Sequence, residues 1–162
     1  MQIINDLNKS GDENNLQKGC YQLFLRLNRE AILSVGRFGA REFAAGDYIY
    51  TGSHQRSLLK RIQRHLRRDK NIHWHIDYLT ANPIFEIRRV LLFPGSHEEC
   101  RLHQAVRKFT GGKEPIPGFG NGDCRNHCRS HLIYAADLTE ETFVRWSEKN
   151  NCLVYYPDDS GK

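Results

Sequence analysis

The period of the apolar residues changes along the chain, and this change constrains the fold more than any other feature. Three early segments are rich in β-branched and aromatic residues with partial alternation, which predicts strands over residues 21–27, 31–35 and 48–51. From residue 56 the apolar residues follow helical spacing, as Leu58, Ile62 and Leu66 show. This segment predicts an amphipathic helix over residues 56–68.

The second half of the chain alternates between the two patterns. Further strands are predicted over residues 85–93, 131–135 and 152–156. A short helix is predicted over residues 74–79. A second helix is predicted to start from an N-cap at Ser96, and a third from a capping box that begins at Asp137. The long, Gly- and Pro-rich loop of residues 110–130 is of a kind that is usually functional. The order β-β-β-α-α-β-α-β-α-β predicts an α+β fold, a compact domain with a small mixed or antiparallel sheet flanked by helices.

The length of 162 residues, 39% of them hydrophobic, fits one domain of ordinary core size. We predict a flexible leader over residues 1–18, a single domain over 19–157 and a tail over 158–162. A hairpin turn is expected at residues 28–30. The sequence has no apolar run long enough for a membrane span, no signal peptide pattern and an odd number of cysteines, five, so we expect a cytoplasmic protein.

Six short segments carry the residues that suggest a chemistry. They are Gly19-Cys20-Tyr21, Tyr50-Thr51-Gly52, Arg61 with His65, the pair Glu98-Glu99, and the later strings His73-Trp74-His75-Ile76-Asp77 and Phe119-Gly120-Asn121-Gly122-Asp123-Cys124 with His131. In this order they resemble the GIY-YIG nuclease superfamily. They are most similar to its Uri-type branch, a small domain formerly of unknown function.

The resemblance implies a hydrolase, a metal-dependent endonuclease that cleaves phosphodiester bonds in DNA. It implies that Tyr21 is the general base or positions the water, that Tyr50 lies beside it, and that Arg61 binds the phosphate. Glu99 would hold a single Mg²⁺ or Mn²⁺, and Glu98 is nearly as well placed. A carboxylate and a planar guanidinium suit these two tasks. His65, one turn after Arg61, is a candidate to bond the phosphate or relay a proton.

Each of these assignments has a simpler alternative. Taken singly, Tyr21 and Tyr50 are typical strand aromatics, Arg61 is typical of a solvated helix face, and Glu99 is typical of a helix N-terminus. The alternatives for the whole chain are a non-catalytic nucleic-acid-binding module with a degenerate nuclease site, and a zinc-stabilised interaction domain.

The helix over residues 56–68 is strongly basic, which suits contacts with the phosphates of a nucleic acid, and the resemblance implies DNA as the preferred partner. The formal net charge of +5 permits such a partner. The candidate phosphate contacts are Arg56, Lys60, Arg64 and Arg68. A solvated helix face has the same composition, and no motif for reading base sequence is present.

Two further groups are candidates for support of the site. In the first, His73, His75 and Asp77 would orient the site, with Asp77 fixing a histidine tautomer, or would form a buried aromatic cluster. In the second, Cys124, Cys128, His127 and His131 invite a structural zinc site, to which Cys100 or Cys20 would contribute only through the fold. Their loose spacing favours instead a metal-free loop that is locked by hydrogen bonds of Asp123 and of His131.

Overall fold

A computed structural model of the chain describes residues 16–157. The predicted tail over 158–162 and residues 1–15 of the predicted leader lie outside this range. Packing begins before the predicted domain start at residue 19. Leu16 is buried in the core, and the Leu58 backbone N–H donates to the Gln17 carbonyl at 3.1 Å. These contacts tie the chain ahead of the first strand to the start of the first long helix.

The described residues form strands and helices in the following order. They are β1 Gly19–Leu27, β2 Ala31–Ser34, β3 Ala40–Phe43, β4 Gly46–His54, α1 Leu58–Leu66, α2 Asp77–Thr80, β5 Phe85–Pro94, α3 Glu99–Thr110, β6 Leu132–Ala135, α4 Glu140–Asn150 and β7 Leu153–Tyr155. A short 3₁₀ turn, Gly36–Phe38, separates β2 from β3. No helix within residues 16–157 combines the length and the apolar character that crossing a membrane requires.

Five of the strands form one sheet in the order β6-β4-β1-β5-β7, and all the neighbouring pairs are antiparallel. The predicted α+β class is therefore confirmed, with the sheet antiparallel rather than mixed. Strand β1 lies at the centre and is buried along nearly its whole length. It runs against β4 with Tyr21 opposite Gly52 and Leu23 opposite Tyr50.

A small second sheet consists of the hairpin of β2 and β3. The sequence prediction was wrong here, because a hairpin between the first two strands was expected and residues 38–46 were expected to be a loop. Strand β3 escaped prediction because only Phe43 of its four residues is buried. Strand β1 pairs instead with β4 along one edge and with β5 along the other, so its backbone is hydrogen-bonded on both edges, and the helices cover its two apolar faces.

The main sheet separates two apolar cores. Strand side chains on the same face of the sheet as Tyr21 pack against α1 and α2, where Leu58, Ile62 and Leu79 are buried. Strand side chains on the other face of the sheet pack against α3 and α4, where they contact Val106 and Trp146. Because side chains alternate along a strand and Tyr50 lies opposite Leu23, Tyr21 of β1 and Tyr50 of β4 share the α1 side.

Two predicted helix caps lie elsewhere than expected. Helix α3 begins at Glu99, and the hydroxyl of Ser96 accepts only the Glu98 N–H in the preceding turn. Helix α4 is capped by Thr139, whose hydroxyl accepts the Thr142 N–H, and not by Asp137. As a result Glu99 is the first residue of α3, at the end of the sheet where β4 finishes and β6 starts.

Candidate functional site

Tyr21 and Tyr50 lie side by side on the α1 face of the sheet. Their ring centroids are 6.3 Å apart. Two glycines leave room for them. A Cβ at Gly52 would lie 2.5 Å from the Tyr21 hydroxyl oxygen, and a Cβ at Gly120 would lie 2.6 Å from the Tyr50 ring. The second glycine has φ of +68°, so it also supplies a backbone conformation that other residues rarely adopt.

His65 is the hydrogen-bond partner of Tyr21. Its Nε2 lies 2.8 Å from the Tyr21 hydroxyl, and the imidazole is fully buried. Burial, with a further effect of the Lys70 ammonium, lowers the pKa of His65 to about 3. The imidazole is therefore neutral at physiological pH. Its Nδ1 is buried without a hydrogen-bond partner among the described residues, so Nε2 alone anchors the ring.

Both phenols stay protonated in this environment. Burial raises the pKa of Tyr21 and of Tyr50 well above the usual value of 10. On each phenol the Arg61 cation opposes this rise, and the Glu99 carboxylate adds to it. Tyr21 is 1% exposed and Tyr50 is 7% exposed, so Tyr50 is the one nearer to solvent. Arg61 and Glu99 therefore both act on the two tyrosines, although they come from opposite layers of the fold.

Arg61 is held from two directions. Its guanidinium donates to Nδ1 of His54 at 2.9 Å and stacks on the indole of Trp74, 3.9 Å from the ring centroid. Burial and the neighbouring Arg61 charge lower the pKa of His54, which keeps this nitrogen a free acceptor. Sequence reasoning missed both partners. His54 ends β4 directly after the second tyrosine motif, and this position was the available signal.

Glu99 accepts hydrogen bonds on both carboxylate oxygens. Ser53 donates its hydroxyl to Oε2 at 2.5 Å, and Nδ1 of His131 lies 2.8 Å from Oε1. The Glu99 side chain keeps 25% of its surface exposed. Glu98 is different, because it is exposed and pairs with Arg101 one turn on. Of the two adjacent glutamates, Glu99 is the one whose side chain is held at the end of β4 and whose charge acts on both tyrosines.

Asp77 binds an arginine rather than a histidine. Both oxygens of its fully buried carboxylate accept from Arg64, at 2.6 and 2.8 Å, and one also accepts the backbone N–H groups of His73 and Trp74. Burial opposes ionisation, but the Arg64 bonds outweigh it and lower the pKa of Asp77 to about 2. The interpretation that Asp77 fixes a histidine tautomer is therefore wrong. Asp77 instead joins α1 to α2.

The four basic residues predicted as phosphate contacts divide into two pairs. Arg56 and Lys60 are exposed. Arg64 is engaged by Asp77, and Arg68 donates to the carbonyls of Thr80, Asn82 and Phe85 at 2.6 to 3.0 Å. The guanidinium groups of Arg64 and Arg68 therefore hold the fold together, and they would have to give up those bonds to bind a phosphate.

The two histidines near Trp74 have separate environments. His73 is exposed, with its ring edge on Trp74 at 4.7 Å between centroids. His75 accepts the Gly120 backbone N–H on Nδ1 at 2.9 Å and packs on Phe38. His75 thereby fixes the glycine that lies against Tyr50, so it supports the site through the backbone of the loop over residues 110–130.

A second cluster consists of three thiols and one imidazole, contributed by Cys100, Cys124, Cys128 and His131. We call it the Cys₃His group. Its three Sγ atoms and one histidine nitrogen all lie within 4.8 Å of one another. The Cys100 thiol is 3.4 Å from that of Cys124 and 3.8 Å from Nε2 of His131. Such a group can hold a metal ion, and ligands rich in cysteine favour zinc over Mg²⁺ or Mn²⁺.

The Cys₃His group differs from the set suggested by spacing. Cys100, from the first turn of α3, takes the place considered for His127, which is exposed. Of the two residues expected to lock the loop by hydrogen bonds, His131 does so, because its N–H donates to the Phe119 carbonyl and its Nδ1 lies against Glu99, whereas Asp123 is exposed. His131 therefore touches both clusters, with Nε2 toward the thiols and Nδ1 toward the carboxylate.

Comparison with known families shows to which family this chain belongs. Residues 20–151 match the family described as Domain of unknown function DUF123, and since the match covers most of the chain, the protein belongs to that family. Comparison with curated proteins and with solved structures finds no match. The matched segment includes both tyrosines, Arg61, Glu99 and the whole Cys₃His group.

Proposed function

We propose that this protein is a metal-dependent endonuclease of the GIY-YIG type, which hydrolyses phosphodiester bonds in DNA with one Mg²⁺ or Mn²⁺ ion. The observation that carries the proposal is that adjacent residues at the end of β4 hold Arg61 and Glu99, through His54 and Ser53, and that both charges act on the same pair of phenols. A cation, a carboxylate and two hydroxyl groups from β1, β4, α1 and α3 meet at one end of the sheet. If the tyrosines were only strand aromatics and Arg61 only part of a solvated helix face, nothing would require these groups to lie together.

Arg61 is the residue that would bind the scissile phosphate. The fork of a guanidinium matches two phosphoryl oxygens, and its charge offsets the negative charge that develops there. Two of its neighbours fix it before any substrate binds. His54 accepts one N–H, and the Trp74 face supports the plane of the group. Preorganisation of this kind avoids reorientation during the reaction.

The tyrosines would orient the attacking water rather than remove its proton as phenolates. Burial keeps both phenols protonated. Tyr50 is the more exposed of the two and would contact the water, while Tyr21 lies behind it and is held by His65. The neutral His65 accepts the Tyr21 hydroxyl proton in a hydrogen bond in the tautomer that leaves Nε2 unprotonated. The rigid pair then fixes the position of the Tyr50 ring.

Glu99 fits a single divalent ion of the magnesium type. Its carboxylate is a hard oxygen ligand, part of its surface is exposed, and each oxygen retains a lone pair beyond the hydrogen bond it accepts. When bound, the ion would neutralise phosphoryl charge and stabilise the leaving oxygen. Ser53 and His131 hold the carboxylate in one orientation, so Glu99 presents the same lone pairs throughout.

Nucleic acid would approach along the exposed part of α1 and the turn before it. Arg56 and Lys60 lie there and are exposed, with Arg61 on the same helix. Contacts from such side chains neutralise backbone phosphates without reading the sequence. The engaged side chains of Arg64 and Arg68 would instead keep that surface rigid.

The test is a cleavage screen of the purified protein. Single-strand, duplex and flap DNA, with RNA counterparts, would each be incubated with Mg²⁺, Mn²⁺ or EDTA. We expect cleavage of at least one DNA substrate with Mg²⁺ or Mn²⁺ and none with EDTA. Tight binding of nucleic acid without cleavage under every condition would overturn the proposal in favour of a non-catalytic binding module.

A further inference from the structure

We propose that the Cys₃His group is a structural zinc site, with Cys100, Cys124 and Cys128 bound through Sγ and His131 bound through Nε2. The site would join the start of α3 to the long loop that precedes β6. It is distinct from the single-ion site at Glu99, because its ligands are soft sulfur atoms.

The spacing of the four atoms matches a tetrahedral zinc ion. With Zn–S bonds of about 2.3 Å and a Zn–N bond of about 2.0 Å, the ligand atoms of a tetrahedron lie about 3.5 to 3.8 Å apart. The Cys100 sulfur lies 3.4 Å from that of Cys124 and 3.8 Å from Nε2 of His131, and no pair exceeds 4.8 Å. Small side-chain rotations would bring all four atoms to one ion.

The chain around the group also favours a closed structural site. Four protein ligands fill a tetrahedral zinc, whereas a catalytic zinc keeps a position open for water. Cys128 and His131 are buried, and Cys100 and Cys124 are half-buried. Backbone hydrogen bonds hold the loop from Gly111 to Ser130 at Gly118, which donates to Arg129, and at Phe119, which accepts from His131. A metal ion would in addition join the part of the loop with Cys124 and Cys128 to Cys100 of α3.

A disulfide does not account for the geometry equally well. All five cysteines are free thiols, and the sulfur atoms of Cys100 and Cys124 are 3.4 Å apart. That separation is well beyond the S–S bond length of about 2.05 Å. A disulfide between these two would also leave Cys128 and the His131 Nε2 without a role beside them. Convergence of a third thiol and an imidazole is what a metal requires.

The orientation of His131 gives the zinc site a second consequence, which rests on the proposed function. If Nε2 binds zinc, the ring proton must be on Nδ1, and Nδ1 lies 2.8 Å from Glu99. Glu99 then accepts a hydrogen bond from a metal-bound histidine. His131 is thus a positioning residue that fixes the carboxylate proposed to hold Mg²⁺ or Mn²⁺.

The first experiment measures zinc in the purified full-length protein by elemental analysis. We expect one zinc per chain in the wild type, loss of zinc in Cys124→Ser and Cys128→Ser, and full retention in Cys152→Ser. Cys152 is the matched control, because it is a half-buried free thiol outside the group. Replacement by Co²⁺ should give the visible bands of tetrahedral coordination and thiolate charge-transfer absorption.

The wild-type measurement decides the zinc proposal by itself, so a serine variant that fails to fold does not affect the decision. Wild-type protein that holds no zinc as purified, and neither Zn²⁺ nor Co²⁺ after reduction and reconstitution, would overturn it. A Cys100–Cys124 disulfide found by mass spectrometry in protein kept under reducing conditions would overturn it as well. Neither result would bear on whether the protein cleaves DNA.

The second experiment separates the zinc site from the positioning of Glu99. His131→Cys supplies a fourth thiolate, so zinc should stay at one per chain, while the hydrogen bond to Glu99 is lost. We expect the dissociation constant for Mn²⁺, read by water proton relaxation, to rise about 10- to 100-fold in this variant. Unchanged Mn²⁺ affinity in a zinc-loaded variant, or no Mn²⁺ binding by the wild type, would overturn the coupling. Zinc content and DNA cleavage are separate measurements, so each proposal can fail alone.

Discussion

The hydroxyl of Tyr21 and Nε2 of His65 lie 2.8 Å apart in a part of the core that water does not reach. The two residues come from β1 and α1, so this contact ties the central strand to the helix that carries Arg61. It also makes the stability of the fold depend on a histidine that must remain neutral.

That dependence predicts an effect of pH on stability. The pKa of His65 is about 3 in the folded protein and about 6.5 in the unfolded chain. Between these values the unfolded chain binds the proton and the folded protein does not, so acid favours unfolding. The contribution of His65 is complete above pH 6.5 and is lost as the pH falls toward 3, by up to about 1.4 kcal/mol per pH unit.

Urea unfolding at a series of pH values would measure this effect as the difference between wild type and His65→Gln, which does not titrate. Other histidines contribute equally to both proteins and cancel in the difference. If both proteins lose stability in parallel between pH 6.5 and 4, His65 is not buried in its neutral form.

Gly52 is predicted to be essential for the tyrosine pair. A methyl group there would meet the Tyr21 hydroxyl and ring, so Gly52→Ala should displace the ring and cost about 1–3 kcal/mol of unfolding free energy. Gly122→Ala is the matched control, since a Cβ at that position meets nothing within 4 Å. Thermal unfolding of both variants would show the difference. Equal melting temperatures would contradict the close approach of Gly52 to Tyr21.

The link between Arg64 and Asp77 is predicted to stabilise the protein strongly. Asp77→Asn removes the charge of a fully buried carboxylate and leaves the Arg64 guanidinium without its charged partner. Breaking such a pair costs about 3–5 kcal/mol. Asp69→Asn removes an exposed carboxylate nearby and should change stability by less than about 0.5 kcal/mol. Urea unfolding at pH 7 would compare them, and a mild effect at position 77 would contradict the assigned role.

The exposed and the engaged basic residues should behave differently in DNA binding. Arg56→Ala with Lys60→Ala should weaken affinity for all sequences alike and reduce the salt slope by about one for each phosphate that is no longer neutralised. Arg68→Ala should mainly lower thermal stability, because it removes three bonds to backbone carbonyls. Binding curves at several salt concentrations decide this. A slope that changes for Arg68→Ala alone would reverse the assignment.

The elements of the main sheet could be predicted well from sequence, because their apolar patterns are strong. Strand β4 and helix α1 carry such patterns, and the segment with Tyr21 was placed correctly at the start of a strand. The strand with Tyr50 was predicted too short, because β4 continues through Gly52 and Ser53 to His54 and Tyr50 lies in its middle. Strand β3 could not be predicted, since it is largely exposed and forms only by pairing with β2. Local pattern contains no information about a partner strand.

The same limit applies to the clusters. Cys124, Cys128 and His131 are close in sequence, but Cys100 lies 24 residues before Cys124 and joins them only through the packing of α3. Likewise, the basic face of α1 contains no sign that Arg64 meets Asp77, because that pairing depends on how the chain returns after the helix. The residue types indicated which kinds of group were available, but only tertiary packing determined which side chains lie together.

The most direct measurement of the central claim is the rate of DNA cleavage by Glu99→Gln beside Glu98→Gln. The two substitutions remove the same charge from adjacent residues, but the Glu99 charge acts on both tyrosines, whereas Glu98 is exposed and pairs with Arg101. With Mg²⁺ and the best substrate from the screen, Glu98→Gln should cleave at the wild-type rate, and Glu99→Gln should be slower by about a hundredfold to a thousandfold. Equal rates in the two variants would contradict the claim that Glu99 holds the catalytic ion.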